Sequence, residues 1–336
     1  MSGKGNKAAN ARAKVVQEIA DMFKKQIKEG VKPWNKPWDT SKCSTGMAHN
    51  IVSGKPYRGV NQFILQFAGD TEFASFKQWS EVGRKYAIEQ GEYELREGKN
   101  GKPYKHTTTY YGVQKGMSAH TVVYFNLIKI KEKDDYGNEE EKRIPILKWF
   151  KVFGRSQTNI PANPIDLSEE EKLSMTEREE AIEQELFDIY LDKEGIPVSW
   201  GGARAFYSLG RDSIGMPDRH AFPDGYAMLP TLFHESIHST GHPKRKNRTF
   251  GIFGDKEYAF EELVAEMGAS LLCRHFNILP SEALEDGLEN QASYIASWLK
   301  RLDSDPGFII KAGSRAQAAV DYILQTTFEE EEKKDE

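Results

Sequence analysis

Cysteine is scarce, and no long apolar run occurs anywhere in the 336 residues. The two cysteines, Cys43 and Cys273, lie far apart in segments of different character, which excludes a disulfide framework and a cysteine-built zinc site. A reducing, cytoplasmic setting fits such cysteine usage. No stretch approaches the roughly 20 apolar residues needed to span a bilayer, and the N-terminal MSGKGNKAANARAK has no hydrophobic core of a secretory signal. The expectation is a soluble chain without a membrane partner. Internal repeats at solenoid periods are also missing. Charge of either sign is nearly balanced, at −5 overall with a pI near 6.0, and that average argues against a nucleic-acid binder.

The average conceals a division. Up to Arg155 there are 28 Lys and Arg against 17 Asp and Glu, a balance of +11; from Ser156 onward there are 18 against 34, a balance of −16. Two modules with different partners are expected. The expected organisation is a flexible basic arm (1–14), a first domain (15–155), a linker (156–167), a second domain (168–328) and an acidic tail (329–336).

Apolar positions Val15, Ile19, Phe23 and Ile27 recur every four residues and predict an amphipathic helix closed by Gly30. Phe76–Gln90 also reads as a helix. Residues 107–115, 120–133 and 143–155 are rich in β-branched and aromatic side chains and predict strands, with a polar hairpin around 131–143. The prolines at 161 and 164 mark the linker. A capping box beginning at Ser168 predicts an acidic helix running to about Asp192. Residues 203–214 predict a short hairpin or edge strand, and two strong helices follow, one ending at Gly241 and one through Asp255–Phe276. The fold class is α+β in two domains: a mixed first domain, and a mostly helical second domain with a small sheet.

The chemistry concentrates at His234-Glu235-Ser236-Ile237-His238, an HExxH pattern. Imidazoles four residues apart share one helical face and can reach one zinc ion at about 2.0–2.1 Å, with Glu235 beside them as general base. The expected reaction is peptide hydrolysis, with Glu235 taking a proton from the attacking water and passing it to the leaving amine. The third ligand is open among Glu262, Glu266 and His242. Glu262 leads, because Glu262 and Glu266 sit four apart on the following helix, whereas a straight helix separates His234 from His242 by about 12 Å. Glu266 and His242 then stand behind the ligands and orient them, and Glu261 is expected to point away. Tyr258, one turn before Glu262, is the candidate for oxyanion stabilisation, ahead of His220 and Tyr226. The edge strand at 203–214 could hold an extended peptide by strand addition.

In the first half, cations and rings interleave: Lys32, Trp34, Lys36 and Trp38; Lys55, Tyr57, Arg58 and Asn61; Lys102, Tyr104, Lys105 and His106; Lys148, Trp149 and Lys151. Single-stranded nucleic acid is gripped by such sets, since bases stack on rings and cations track phosphates. No recognition helix for duplex DNA is evident.

In combination these segments resemble the ArdC-type antirestriction proteins of conjugative plasmids and phages. The run from the first helix through KPWNKPW, SGKPYRGVNQFIL and FNLIKIK is similar to their single-stranded DNA-binding domain. The run through FYSLGRDSIGMP, LFHESIHSTGH, YAFEELVAEMGASLL and SYIASWLKRL is similar to their zincin-type metallopeptidase domain. The resemblance implies zinc held by His234, His238 and Glu262, catalysis by Glu235, and a protein that protects incoming single-stranded DNA from restriction. Two alternatives remain: a DNA-covering protein whose zinc domain is structural or regulatory, and a primase-associated accessory. Where the family continues after the Gly-His pair with an arginine-leucine element, this chain has PKRKNR, leaving Arg245 and Arg248 without an assigned role.

Overall fold

The computed structural model describes residues 3–28, 46–133, 139–161, 175–222, 225–251, 255–278 and 288–326. They divide into two compact units. Residues 3–21, 46–57, 61–133 and 139–161 form the first; residues 22–28, Arg58–Val60 and the described residues from 175 onward form the second. The chain is thus α+β, with a mixed first unit and a mostly helical second one.

Helix α1 (Gly3–Lys28) buries Val15, Ile19, Phe23 and Ile27, the four positions of the apolar stripe. It begins well before Val15 and takes in residues 3–14, the segment expected to be a flexible basic arm. The alanine-rich, proline-free segment has high helix propensity, and adding residues to an existing helix costs far less than nucleating one.

In the first unit, β1 (His49–Asn50), β2 (Glu72–Ala74), β5 (His120–Lys133) and β6 (Glu139–Gly154) make a sheet in the order β1-β2-β6-β5. The β5–β6 ladder is antiparallel from His120↔Val152 to Lys133↔Glu139, so the polar hairpin is a paired ribbon up to its turn, which lies outside the described residues. Helix α2 (Val60–Gln66) places Leu65 against Phe73, Val122 and Val152. Helix α3 (Phe76–Glu89) opens on a Ser75–Gln78 capping box and buries Trp79, whose indole N–H donates to the Phe153 carbonyl at 2.8 Å. A separate hairpin joins β3 (Tyr93–Glu97) to β4 (Pro103–Thr107).

Two expectations change here. Of residues 107–115 only Thr107 lies in a strand. The backbone beyond it bonds instead to the segment after β6, through Gln114 N–H to the Gln157 carbonyl and Gly112 N–H to Asn159 Oδ1. That same segment, expected to be linker, is therefore structured to residue 161, and Ile160 is buried beside Trp79 and Val113. Residues 162–167, the start of the acidic helix and the tail lie outside the described residues.

In the second unit, α4 (Met175–Leu186) continues through a wide helical turn at Phe187–Leu191 into the short α5 (Asp192–Glu194). Gly195 closes it at φ +67°, a left-handed conformation that suits glycine. Strands β7 (Val198–Gly202), β8 (Phe206–Ser208) and β9 (Ser213–Pro217) form a sheet in the order β7-β9-β8, with β8 at the edge. Among the described residues, four helices complete the unit: α6 (Gly225–Thr240), α7 (Lys256–His275), α8 (Leu288–Ser304) and α9 (Phe308–Ile323). Helices α6 and α7 approach closely at Gly268, where a Cβ would lie 2.7 Å from Ile237 Cδ1. The Trp298 indole N–H donates to the Ala259 carbonyl at 2.7 Å and ties α8 to α7. Among the described residues, no helix is long and apolar enough to cross a membrane.

Candidate metal centre

Helix α6 carries His234 and His238 one turn apart, with ring centroids 4.7 Å apart and Nε2 atoms 3.1 Å apart. Helix α7 brings Glu262 to both: Oε2 lies 3.6 Å from His234 Nε2, and Oε1 lies 3.5 Å from His238 Nε2. Among the described residues these three form the one group of His, Cys, Asp or Glu side chains able to share a metal ion, with ligand atoms all within 4.8 Å. A tetrahedral ion bound at about 2.0–2.1 Å spaces neighbouring ligand atoms about 3.3–3.4 Å apart, close to the observed separations. Two imidazoles and one carboxylate are also a donor set suited to zinc.

The charges answer one another. Burial acts to lower the His238 pKa, but hydrogen bonds to Glu261 and Glu262 outweigh it and lift the ring to about 10. Glu262 moves the opposite way: burial raises it, and the two imidazoles more than reverse that, holding it well below the usual carboxylate range. Burial dominates at Glu235 and raises its pKa, against the two imidazoles and the Tyr207 backbone N–H, which lower it. That N–H belongs to edge strand β8, so the candidate base stands beside an exposed strand edge.

Several expected roles change. Glu261 does not point away: it is buried and places Oε1 3.3 Å from His238 Nδ1. Adjacent residues on a helix differ by about 100° in direction, so Glu261 and Glu262 meet opposite edges of the same ring. Glu266 lies beside His234, with Oε1 3.9 Å from Nδ1. His242 leaves the centre altogether. The chain turns at Gly241, and the His242 ring accepts the Lys244 N–H and lies 3.7 Å from Asp212 Oδ2. Tyr258 sits one turn before Glu262, its N–H held by the cap residue Asp255 at 2.7 Å. His220 is exposed in a short turn, and the Tyr226 side chain lies outside the described residues.

Arg245 and Arg248 emerge as the anchors of the α6 C-terminus. Helix ends leave carbonyls without intrahelical partners, and these two guanidinium groups donate to the carbonyls of Ser239 and Ile237, both at 2.7 Å. Arg245 also pairs with Asp212, whose Oδ1 accepts the Tyr207 hydroxyl at 2.7 Å; this ties the β8–β9 turn to the end of α6. Nothing in their sequence spacing singled these arginines out, because their partners lie across a hairpin and a helix.

The expected DNA-contacting residues fare differently. Lys32, Trp34, Lys36 and Trp38 lie outside the described residues. Lys55 is exposed. Tyr57, by contrast, packs edge-on against Phe73, and burial raises its hydroxyl pKa. The Arg58 guanidinium is paired with Asp321. Asn61 donates to the Val123 carbonyl at 2.7 Å and accepts its N–H at 2.8 Å, satisfying the open backbone of edge strand β5. The polar groups of these three half-buried side chains thus also serve the fold.

Of the sets read from the sequence, Tyr104 and Trp149 are exposed, and further exposed rings of the first unit are Tyr110, Phe150 at 55%, Phe76 at 54% and Tyr124 at 48%. Tyr124 opposes Lys148 across the β5–β6 ladder, and Phe150 follows two residues on, so all three share one face of the ribbon. Trp149 and Lys151 lie on the other face. Strand alternation was the available signal for this grouping.

A family model described as the N-terminal domain of anti-restriction factor ArdC matches residues 13–153, and one described as a zincin-like metallopeptidase matches residues 185–315. The uncharacterized protein y4eC of Sinorhizobium fredii (strain NBRC 101917 / NGR234) is 26% identical over 323 residues, covering 92% of this chain and 91% of that protein. Two Escherichia coli proteins named DNA primase TraC are 27% and 28% identical over 324 and 312 residues, and the chain spans 19% and 27% of their lengths. The metal-free crystal structure of the antirestriction ArdC protein from R388 plasmid matches with a TM-score of 0.63 and 28% identity, covering 92% of this chain and 96% of that one. Its Mn(II)-bound structure matches at 0.62 and 26%, with coverage of 92% and 97%.

Proposed function

Because the chain has the ArdC-type antirestriction architecture, an ArdC-like N-terminal domain followed by a zincin-like metallopeptidase domain, we propose that it is a zinc-dependent peptidase that also binds single-stranded DNA, and that it protects incoming DNA from restriction. The observation that carries this reading is the convergence of His234, His238 and Glu262 with Glu235 buried beside them.

His234, His238 and Glu262 would hold the ion. The donor set favours zinc, and the Mn(II)-bound ArdC relative supports a divalent ion in this architecture. A bound ion supplies Lewis-acid polarisation of a carbonyl and acidifies water. Glu235 accepts the proton of the attacking water and returns it to the leaving nitrogen, a role that its desolvated position favours. Tyr258 donates to the developing oxyanion. A peptide added in extended form to edge strand β8 lies next to Glu235, through the Tyr207 backbone.

For DNA, the Tyr124–Lys148–Phe150 face offers two rings and a cation in one row, with Lys55, Trp149 and Lys151 as further contacts. The full chain, loaded with zinc, should cleave itself or a protein substrate when single-stranded DNA is supplied, and Glu235→Gln should not. Cleavage that persists unchanged in Glu235→Gln would falsify the peptidase assignment. Undiminished DNA protection by that variant would instead favour a covering protein with a regulatory metal domain.

A further inference from the structure

We propose that Arg248 and Glu261 are positioning residues for His238. They hold its ring with the proton on Nδ1 and the lone pair of Nε2 turned toward His234 and Glu262, and so set the affinity of the centre for a divalent ion. This rests on the reading of His234, His238 and Glu262 as a metal centre.

The two imidazoles look equivalent in the sequence, yet different groups stand behind them. Glu261 Oε1 lies 3.3 Å from His238 Nδ1, and its side chain is only 3% exposed. A carboxylate so buried needs a counter-charge, and Arg248 supplies it through a fork, Nε to Oε2 at 2.9 Å and Nη2 to Oε1 at 2.7 Å. Arg248 is itself fixed. Its Nη1 donates to Thr240 Oγ1 at 2.6 Å and its Nη2 to the Ile237 carbonyl at 2.7 Å, both on the helix that carries His238.

The contacts form a closed ring: α6 backbone, Arg248, Glu261 on α7, and back to His238 on α6. An ionised carboxylate only accepts hydrogen bonds, so the ring nitrogen facing it must carry the proton. Nε2 faces the second carboxylate, Glu262, so it is the nitrogen that gives up its proton and offers its lone pair when an ion binds, while Nδ1 keeps its own toward Glu261. His234 has a looser arrangement, for Glu266 Oε1 lies 3.9 Å from its Nδ1, beyond hydrogen-bond reach. The clamp therefore acts on one ligand of the pair. A fixed ring orientation removes the cost of turning that imidazole when the ion binds.

The test uses the full-length chain, stripped of metal and titrated with Co(II) by visible absorption, then with zinc in competition. Glu261→Gln should weaken binding by about 10- to 100-fold and alter the cobalt spectrum. Its amide can present an N–H to Nδ1 and favour the opposite tautomer. Arg248→Lys, which keeps the charge but loses the fork, should weaken binding less, and Glu266→Gln should cost less than Glu261→Gln. Imidazole 15N shifts of the zinc-loaded wild-type chain should place the His238 proton on Nδ1, a readout that does not depend on whether any variant folds. Wild-type affinity with an unchanged cobalt spectrum in Glu261→Gln, or a His238 proton on Nε2 in the zinc-loaded wild-type chain, would overturn the proposal. A wild-type chain that takes up neither cobalt, zinc nor manganese would remove the metal centre itself, a failure distinguishable from that of the clamp.

Discussion

The two units treat their most informative side chains in opposite ways. In the second, the charged groups turn inward at the junction of α6, α7 and the β8–β9 turn: Glu261 is held by His238 and Arg248, Glu235 is buried on α6 beside the imidazoles, and Arg245 is held by Asp212. In the first, the apolar groups turn outward, and Phe150, Phe76 and Tyr124 are about half exposed on a ribbon and a helix start. A buried charge network works by fixed geometry, because each group is costly to leave unpaired. An exposed ring works by availability, because water covers it until a flat partner displaces the solvent. The half with the large acidic excess thus keeps the charges of its site inside, and the basic half offers rings as much as charge.

That contrast can be broken by experiment, most severely at the centre. Glu235→Gln should reduce peptide hydrolysis by about 100- to 10,000-fold while leaving metal binding and single-stranded DNA affinity near wild type; steady-state cleavage beside a metal titration reads both. Loss of DNA affinity in this variant would show that the two units do not work separately. Smaller in size is the effect of Gly268→Ala, which forces a methyl group against Ile237 and should cost about 1–3 kcal/mol in thermal or denaturant unfolding. Metal affinity should fall with it, since Ile237 adjoins His238. Phe150→Ala and Tyr124→Ala should each weaken single-stranded DNA binding by about 1–3 kcal/mol per stacked base, with metal affinity unchanged. Fluorescence anisotropy at two salt concentrations separates this loss from that of Lys148→Ala, which lowers the salt slope instead.

The smallest effect concerns pH. Burial acts to raise the Asp212 pKa, but hydrogen bonds from Arg245 and Tyr207 outweigh it, and the folded value lies below the ordinary one. The stability contributed by Asp212 is therefore complete above its unfolded pKa of about 3.9 and is withdrawn as pH falls through the folded value. Asp212→Asn should lower the midpoint of thermal unfolding at neutral pH and flatten its decline in acid. An acid limb as steep in the variant as in the wild type would remove Asp212 from this account.

Periodicity made the helices legible, since Val15, Ile19, Phe23 and Ile27 declare a buried stripe from spacing alone. The His234–His238 pair was legible for the same reason: four residues return a helix to the same face. Glu261 was not, because helical spacing gives the direction of a side chain but not which neighbouring helix it meets. Asn61 shows a second limit. Its amide completes the edge of β5, a strand about 60 residues further along the chain, and no local pattern encodes that pairing. Residues 107–115 have strand composition yet bond to the segment after β6, a tertiary choice that overrides propensity.

Glu261 and Glu262 work together as a caliper, closing on both edges of one imidazole, and its jaws are set by counting residues from Asp255, the cap of α7. A single residue inserted between Asp255 and Glu261 would leave a helix and its cap possible while swinging both jaws by about 100°. Substitution in that turn trims the centre by degrees, whereas a change of length removes it in one step. The reading frame of α7 along its own axis is thus as much a part of the centre as the acids themselves.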